Sequence, residues 1–145
     1  MSSASAMEDF GVRLAPGLHG GLVIYLHGEL GSGKTTLVRG VMRGLGFAGA
    51  VKSPTFTLIE PYTLAGLVVY HVDLYRLDDA QELEAIGIRD YLNGDSVLLI
   101  EWPERGQGEL PDADARISIT YRDAGRYVEL SCISMQSKSL CAAIG

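Results

Sequence analysis

The sequence predicts an α/β protein in three layers, with a mostly parallel central sheet between helices and an antiparallel C-terminal hairpin. Three observations carry this. Residues 22–26, 67–72 and 97–100 are short unbroken apolar runs, as in strands buried on both faces. Helical patterns lie between them. Near the C-terminus the pattern changes to alternation of apolar and polar residues on either side of Asp-Ala-Gly, the signature of a hairpin.

The elements follow in order. Residues 1–6 are small and polar and read as disordered. Residues 7–15 pattern as a short helix with Phe10 and Leu14 on one face, and Pro16-Gly17 ends it. The first strand runs into a glycine-rich loop. Residues 35–45 then form a helix with Leu37, Val38, Val41, Met42 and Leu45 on one stripe, stopped by Gly46. Residues 52–64, KSPTFTLIEPYTL, hold two prolines and five hydroxyl residues and read as extended segments joined by turns. The second apolar run ends in Asp73. Asp78 or Asp79 caps a helix expected to reach Leu92, with Leu83, Ile86 and Tyr91 inward, closed by Asn93-Gly94-Asp95. The third run ends in Glu101 and Trp102. Residues 103–113 are a loop rich in Gly, Pro and charge. Residues 116–121 and 126–133 pair as the hairpin, and residues 134–145 carry little pattern. One domain spanning 1–145 is expected.

Composition narrows the function. The net charge is −6 and the pI about 4.9. A broad basic face is therefore not expected, nor tight direct binding of nucleic acid, although RNA can be reached through a partner. Cys132 and Cys141 lack CxxC spacing and read as two reduced structural thiols. The N-terminus has no signal-peptide pattern, and no apolar run approaches the roughly 20 residues of a membrane span. A cytoplasmic protein is expected.

The chemistry is concentrated in GELGSGKT, residues 28–35, which fits G-x-x-x-x-G-K-[ST] at Gly28, Gly33, Lys34 and Thr35. Chance places this pattern in on the order of one chain of this size in a few hundred. Here a buried strand precedes it and an amphipathic helix follows, which is the context the chemistry needs. Polyphosphate is dense negative charge. The loop from Glu29 and Leu30 through Gly31, Ser32 and Gly33 can turn several backbone N–H groups inward as an anion nest. The helix beginning near Thr35 and Thr36 adds the positive end of its dipole. Lys34 reaches the β- and γ-phosphates, and the Thr35 hydroxyl is a hard oxygen ligand suited to Mg²⁺. These features make the expected fold a P-loop NTPase.

A phosphate-loop enzyme needs an acid at the end of a neighbouring buried strand. Two strands end in one, at Asp73 and Glu101, where ligands bind in open α/β sheets. The sequence leaves open which of them positions an attacking water. Ser53 and Thr55 flank Pro54 where switch-type hydrolases carry a threonine that senses the γ-phosphate. Trp102 either stacks on a base or packs. His71, within an apolar run, reads as a core histidine. Arg76 and Arg126 either supply charge near phosphate or pair with acids, with pairing favoured for Arg76. No guanine-reading N-K-x-D-like stretch follows the third strand, which leans the reading to ATP.

In this order and spacing, GELGSGKTTLVRG, VKSPTFTLIEPY, VYHVDLYRL, ELEAIGIRDYL and VLLIEWPERG resemble the bacterial TsaE (YjeE) family. SPTF and HVDLYR followed by EWP are specific to it among phosphate-loop proteins. The resemblance covers residues 22–108 closely and the hairpin loosely. It implies a small ATPase, weak alone, that supports threonylcarbamoyl transfer to adenosine of certain tRNAs by two partners, TsaB and TsaD. Residues 31–36 would hold phosphates, Thr35 and Glu101 would bind Mg²⁺, and Asp73 would lie near metal or water. Trp102 would lie beside the nucleotide, and Thr55 in a switch-like segment. Members of the family carry a longer segment before the first strand than the roughly twenty residues here. Fewer nucleoside contacts are expected from this end. The rival reading is a small-molecule or nucleotide kinase, weakened by a loop after Glu101 with Arg105 as its one arginine.

Overall fold

The computed structural model describes residues 4–52, 54, 58–64, 66–123 and 125–144. Among these, six strands form one sheet: β1 (Val23–Gly28), β2 (Ile59–Leu64), β3 (Leu67–Asp73), β4 (Ser96–Glu101), β5 (Ala115–Arg122) and β6 (Gly125–Cys132). Their spatial order is β2-β3-β4-β1-β5-β6. The four inner strands are parallel, while β2 and β6 run antiparallel along the two edges. From β1 the chain travels to the β2 edge and works inward to β4. It then crosses past β1 to β5. The crevice at the C-terminal ends of β1 and β4 is therefore where the direction of winding reverses.

Alternation along the strands supplies two cores. Ile24, Leu26, Val97 and Leu99 face α1 (Ala4–Leu14), α2 (Lys34–Gly44) and α4 (Lys138–Ile144), meeting Met7, Phe10, Leu37, Met42 and Leu140. Val23, Val72, Leu98 and Ile100 face the other way, against Leu74, Leu77, Ile88, Leu110 and Leu83 of α3 (Gln81–Ala85). All six residues of β4 are buried, which is why its sequence shows no polar face.

Several expectations need correction. Ala4, Ser5 and Ala6 are helical, not disordered, because Met7, Phe10 and Leu14 give the helix a buried stripe that extends its first turn. The helix expected to reach Leu92 stops at Ala85. Gly87 adopts φ 69°, a left-handed conformation open to glycine, and a short 3₁₀ turn Ile88–Tyr91 follows. The break shifts the phase, so Ile88 is buried while Ile86 is 43% exposed. Asp79 accepts the Gln81 N–H ahead of α3. The 52–64 stretch yields a strand, β2, that makes a second antiparallel edge. Ser53 and Thr55 lie outside the described residues. The loop after Trp102 begins with a 3₁₀ turn, Pro103–Gly106.

The reduced-thiol reading is also overturned, because Cys132 and Cys141 form a disulfide. The tail supplies the reason. It folds back as α4, burying Leu140 and bringing the Cys141 Cα to 6.5 Å from that of Cys132, within bridging range.

Candidate nucleotide site

β1 ends at Gly28 and α2 begins at Lys34, so the glycine-rich loop bridges strand and helix. Gly31 and Gly33 have φ of 79° and 113°, values that side-chain-bearing residues rarely adopt. The loop is held from several sides. Met7 of α1 packs so closely that a Cβ on Gly33 would lie 3.2 Å from its Cε. Tyr121 donates its hydroxyl to the Gly31 carbonyl at 3.0 Å, and Arg126 reaches the same oxygen at 3.5 Å. Ser32 is buried within the loop. The first turn of α2 carries no acidic residue of its own, so the helix itself places no negative charge at its N-terminus.

Lys34 is buried. Its Nζ donates to the Gly28 carbonyl and lies 3.6 Å from the Trp102 ring centroid. Burial pulls its pKa below the usual lysine value, while the charges of Glu101, Asp73 and Glu104 push it back up. Thr35 donates its hydroxyl to Glu101 Oε2 at 3.2 Å. That bond joins the first turn of α2 to the tip of β4. Asp73 and Glu101 are register partners on β3 and β4, and both are buried. Burial raises the Asp73 carboxyl above the usual aspartate range. The Tyr75 N–H bond at 3.0 Å opposes this, and the Glu101 charge adds to it. Trp102 has φ 58°, a strained value for a bulky residue that concentrates at functional sites.

These groups surround one cleft of about 400 Å³. Leu30, Gly31, Gly33, Lys34, Thr35 and Thr36 line it from the loop and helix, with Asp73, Glu101 and Trp102 opposite. Glu29 lines a neighbouring cavity behind Trp102 and Leu30 instead. Ser32 lines a smaller recess with Met7, Ala4 and Arg126, so the N-terminal helix does reach the loop. Thr55 lies outside the described residues. Tyr75 also lines the cleft and was not singled out by the sequence; Arg76 lines it too, where the sequence left charge near phosphate and pairing with an acid both open, with pairing favoured. His71 was read as a core residue, and it is fully buried, yet its Nε2 lies 2.5 Å from Glu101 Oε2. The alternation in HVD, which puts His71 and Asp73 on one face of β3, was the available signal.

The donor set fits a small hard cation. Among the described residues, no group of three or more His, Cys, Asp or Glu side chains could hold a metal ion by itself. A hydroxyl and two carboxylates converge at the cleft, and Mg²⁺ prefers such a partial set completed by phosphates and water. Like charge at Asp73 and Glu101 is also what a cation would relieve.

A mostly parallel sheet whose first strand runs into GELGSGKT, with acids on adjacent strand ends, defines a P-loop NTPase fold. The family model for threonylcarbamoyl adenosine biosynthesis protein TsaE matches residues 1–128. The tRNA threonylcarbamoyladenosine biosynthesis protein TsaE of Haemophilus influenzae is 53% identical over 122 residues, covering 84% of this chain and 77% of its own. That of Nostoc is 38% identical over 139 residues, covering 92% and 85%. The crystal structure of Bacillus subtilis YdiB superposes with a TM-score of 0.82 at 29% identity, covering 98% of this chain and 88% of that one. The chain belongs to the TsaE family.

Proposed function

We propose that this chain binds ATP with Mg²⁺ and hydrolyses it slowly in the cytoplasm, in support of the TsaB–TsaD assembly that modifies tRNA adenosine with threonylcarbamoyl. The observation that carries this reading is the Thr35–Glu101 contact, which sets a hydroxyl of the phosphate loop beside a strand-end acid. The names of the relatives support the pathway. The acidic net charge supports contact with tRNA through the partners.

In this reading the backbone N–H groups of residues 31–36 and the N-terminus of α2 take the phosphates. Lys34 leaves the Gly28 carbonyl for the β- and γ-phosphates. Thr35 and Glu101 would hold Mg²⁺, with Asp73 alongside. The cation, when bound, would neutralise charge on the phosphate oxygens. Asp73, whose carboxyl is pushed above the usual aspartate range by burial, orients water for in-line attack. Trp102 stands beside the nucleotide. Catalysis then comes from positioning and charge stabilisation.

The test is turnover of labelled ATP with and without TsaB and TsaD. Slow phosphate release alone, accelerated by both partners, is expected. No binding and no change in rate would refute the pathway role. A phosphorylated acceptor in place of free phosphate would identify a kinase.

A further inference from the structure

His71 has the environment of a core residue and the contacts of a site residue. It is fully buried, with Val69 two residues before it and Asp73 two residues after it on the same face of β3. On the paired strand Leu99 is its register partner, and Glu101 lies two residues further toward the cleft. The ring therefore stands below the carboxylate, between apolar core and phosphate cleft. Its Nε2 meets Glu101 Oε2 at 2.5 Å. Its Nδ1 is buried with no hydrogen-bond partner among the described residues.

The Glu101 carboxylate is thereby divided. Oε2 accepts from both the His71 ring and the Thr35 hydroxyl. Oε1 takes no hydrogen bond from any described residue. A carboxylate oxygen accepts, so the contact assigns an N–H to the ring at Nε2. Oε2 is held by His71 from the core side and by Thr35 from α2, so turning the carboxylate would break the imidazole bond. Groups that hydrogen-bond to a metal-ligating side chain set its orientation.

We propose that His71 is a positioning residue. It anchors Glu101 Oε2 and so fixes the orientation in which the carboxylate meets the cation accompanying a bound nucleotide, an assignment that rests on the Mg–ATP reading of the cleft. A buried imidazole costs more than an apolar side chain in the same place unless both ring nitrogens are hydrogen-bonded, and among the described residues only Nε2 has a partner. Here the bond aims a strand-end acid.

The test compares wild type, His71→Leu and His71→Gln by calorimetric ATP binding in Mg²⁺ and in excess chelator. The expected result for His71→Leu is loss of about tenfold in Mg²⁺-dependent affinity, with Mg²⁺-free affinity within about twofold of wild type. His71→Gln, which keeps a donor, recovers part of the loss. A Mg²⁺ effect equal to wild type in folded His71→Leu would overturn the inference, as would an equal loss with and without Mg²⁺, which marks a purely structural role. Nitrogen NMR of the wild-type ring needs no variant to fold. A proton on Nε2 is expected, and a proton on Nδ1 alone would overturn the assignment. A wild-type chain whose ATP affinity ignores Mg²⁺ would instead refute the reading of the cleft itself.

Discussion

Lys34→Met keeps most of the buried aliphatic stem and removes the charge. In the free protein the ammonium already has partners, the Gly28 carbonyl and the face of Trp102. Binding therefore exchanges contacts. An ammonium about 4 Å from one phosphate charge gains about 4 kcal/mol at an effective dielectric constant of about 20. Leaving Gly28 costs about 1 kcal/mol for a hydrogen bond, and leaving the indole costs about 1 kcal/mol for the cation–π contact. The net is about 2 kcal/mol, or roughly 30-fold in Kd. Calorimetric titration with ATP, ADP and AMP measures it. Trp102 is the sole tryptophan and loses its cation in the variant, so emission from the free protein should change too. The loss should be large for ATP and small for AMP. An ATP Kd within about twofold of wild type, in a variant with wild-type melting, would refute the reasoning.

Other perturbations test other links. Asp73 has a raised pKa, so the stability it contributes is complete below the ordinary aspartate range and is lost as pH rises through its folded value. Asp73→Asn should therefore melt higher than wild type at pH 7, with the gap closing as pH falls; equal Tm at pH 7 would contradict this. Reducing Cys132–Cys141, separated by nine positions, should cost about 2–3 kcal/mol and roughly 7–10 °C in Tm. Melting in the presence and absence of reductant reads this directly, and an unchanged Tm would argue against the bridge. In Gly40→Ala the new Cβ would fall 2.0 Å from the Glu8 carbonyl where α1 crosses α2. Overpacking of about 1–3 kcal/mol should outweigh a helix-propensity gain of about 1 kcal/mol. A rise in Tm would show that the crossing can yield.

Legibility followed the range of the physics involved. The strands were readable because burial on both faces leaves unbroken apolar runs, a local signal. The loop was readable because G-x-x-x-x-G-K-[ST] fixes the spacing of glycine, lysine and hydroxyl, and it lies between β1 and α2 as that motif requires. Asp73 and Glu101 were readable as strand-end acids. The break at Gly87 was not, because Leu83 and Ile86 continue the helical spacing until packing selects Ile88 instead. The disulfide was not, since nothing local shows that residues 138–144 fold back over the sheet edge.

By itself, the sequence determined a P-loop α/β fold, the composition of the phosphate loop and the acids that accompany it. Each of these is written within a few neighbouring residues. The tertiary structure alone decided which groups meet. It set Thr35 and His71 on one oxygen of Glu101, 66 and 30 positions away. It parked Lys34 on Trp102 and brought the N-terminal helix and the hairpin against the loop. Those contacts depend on strand order and register, which arise from the packing of the whole sheet and leave no trace in local spacing.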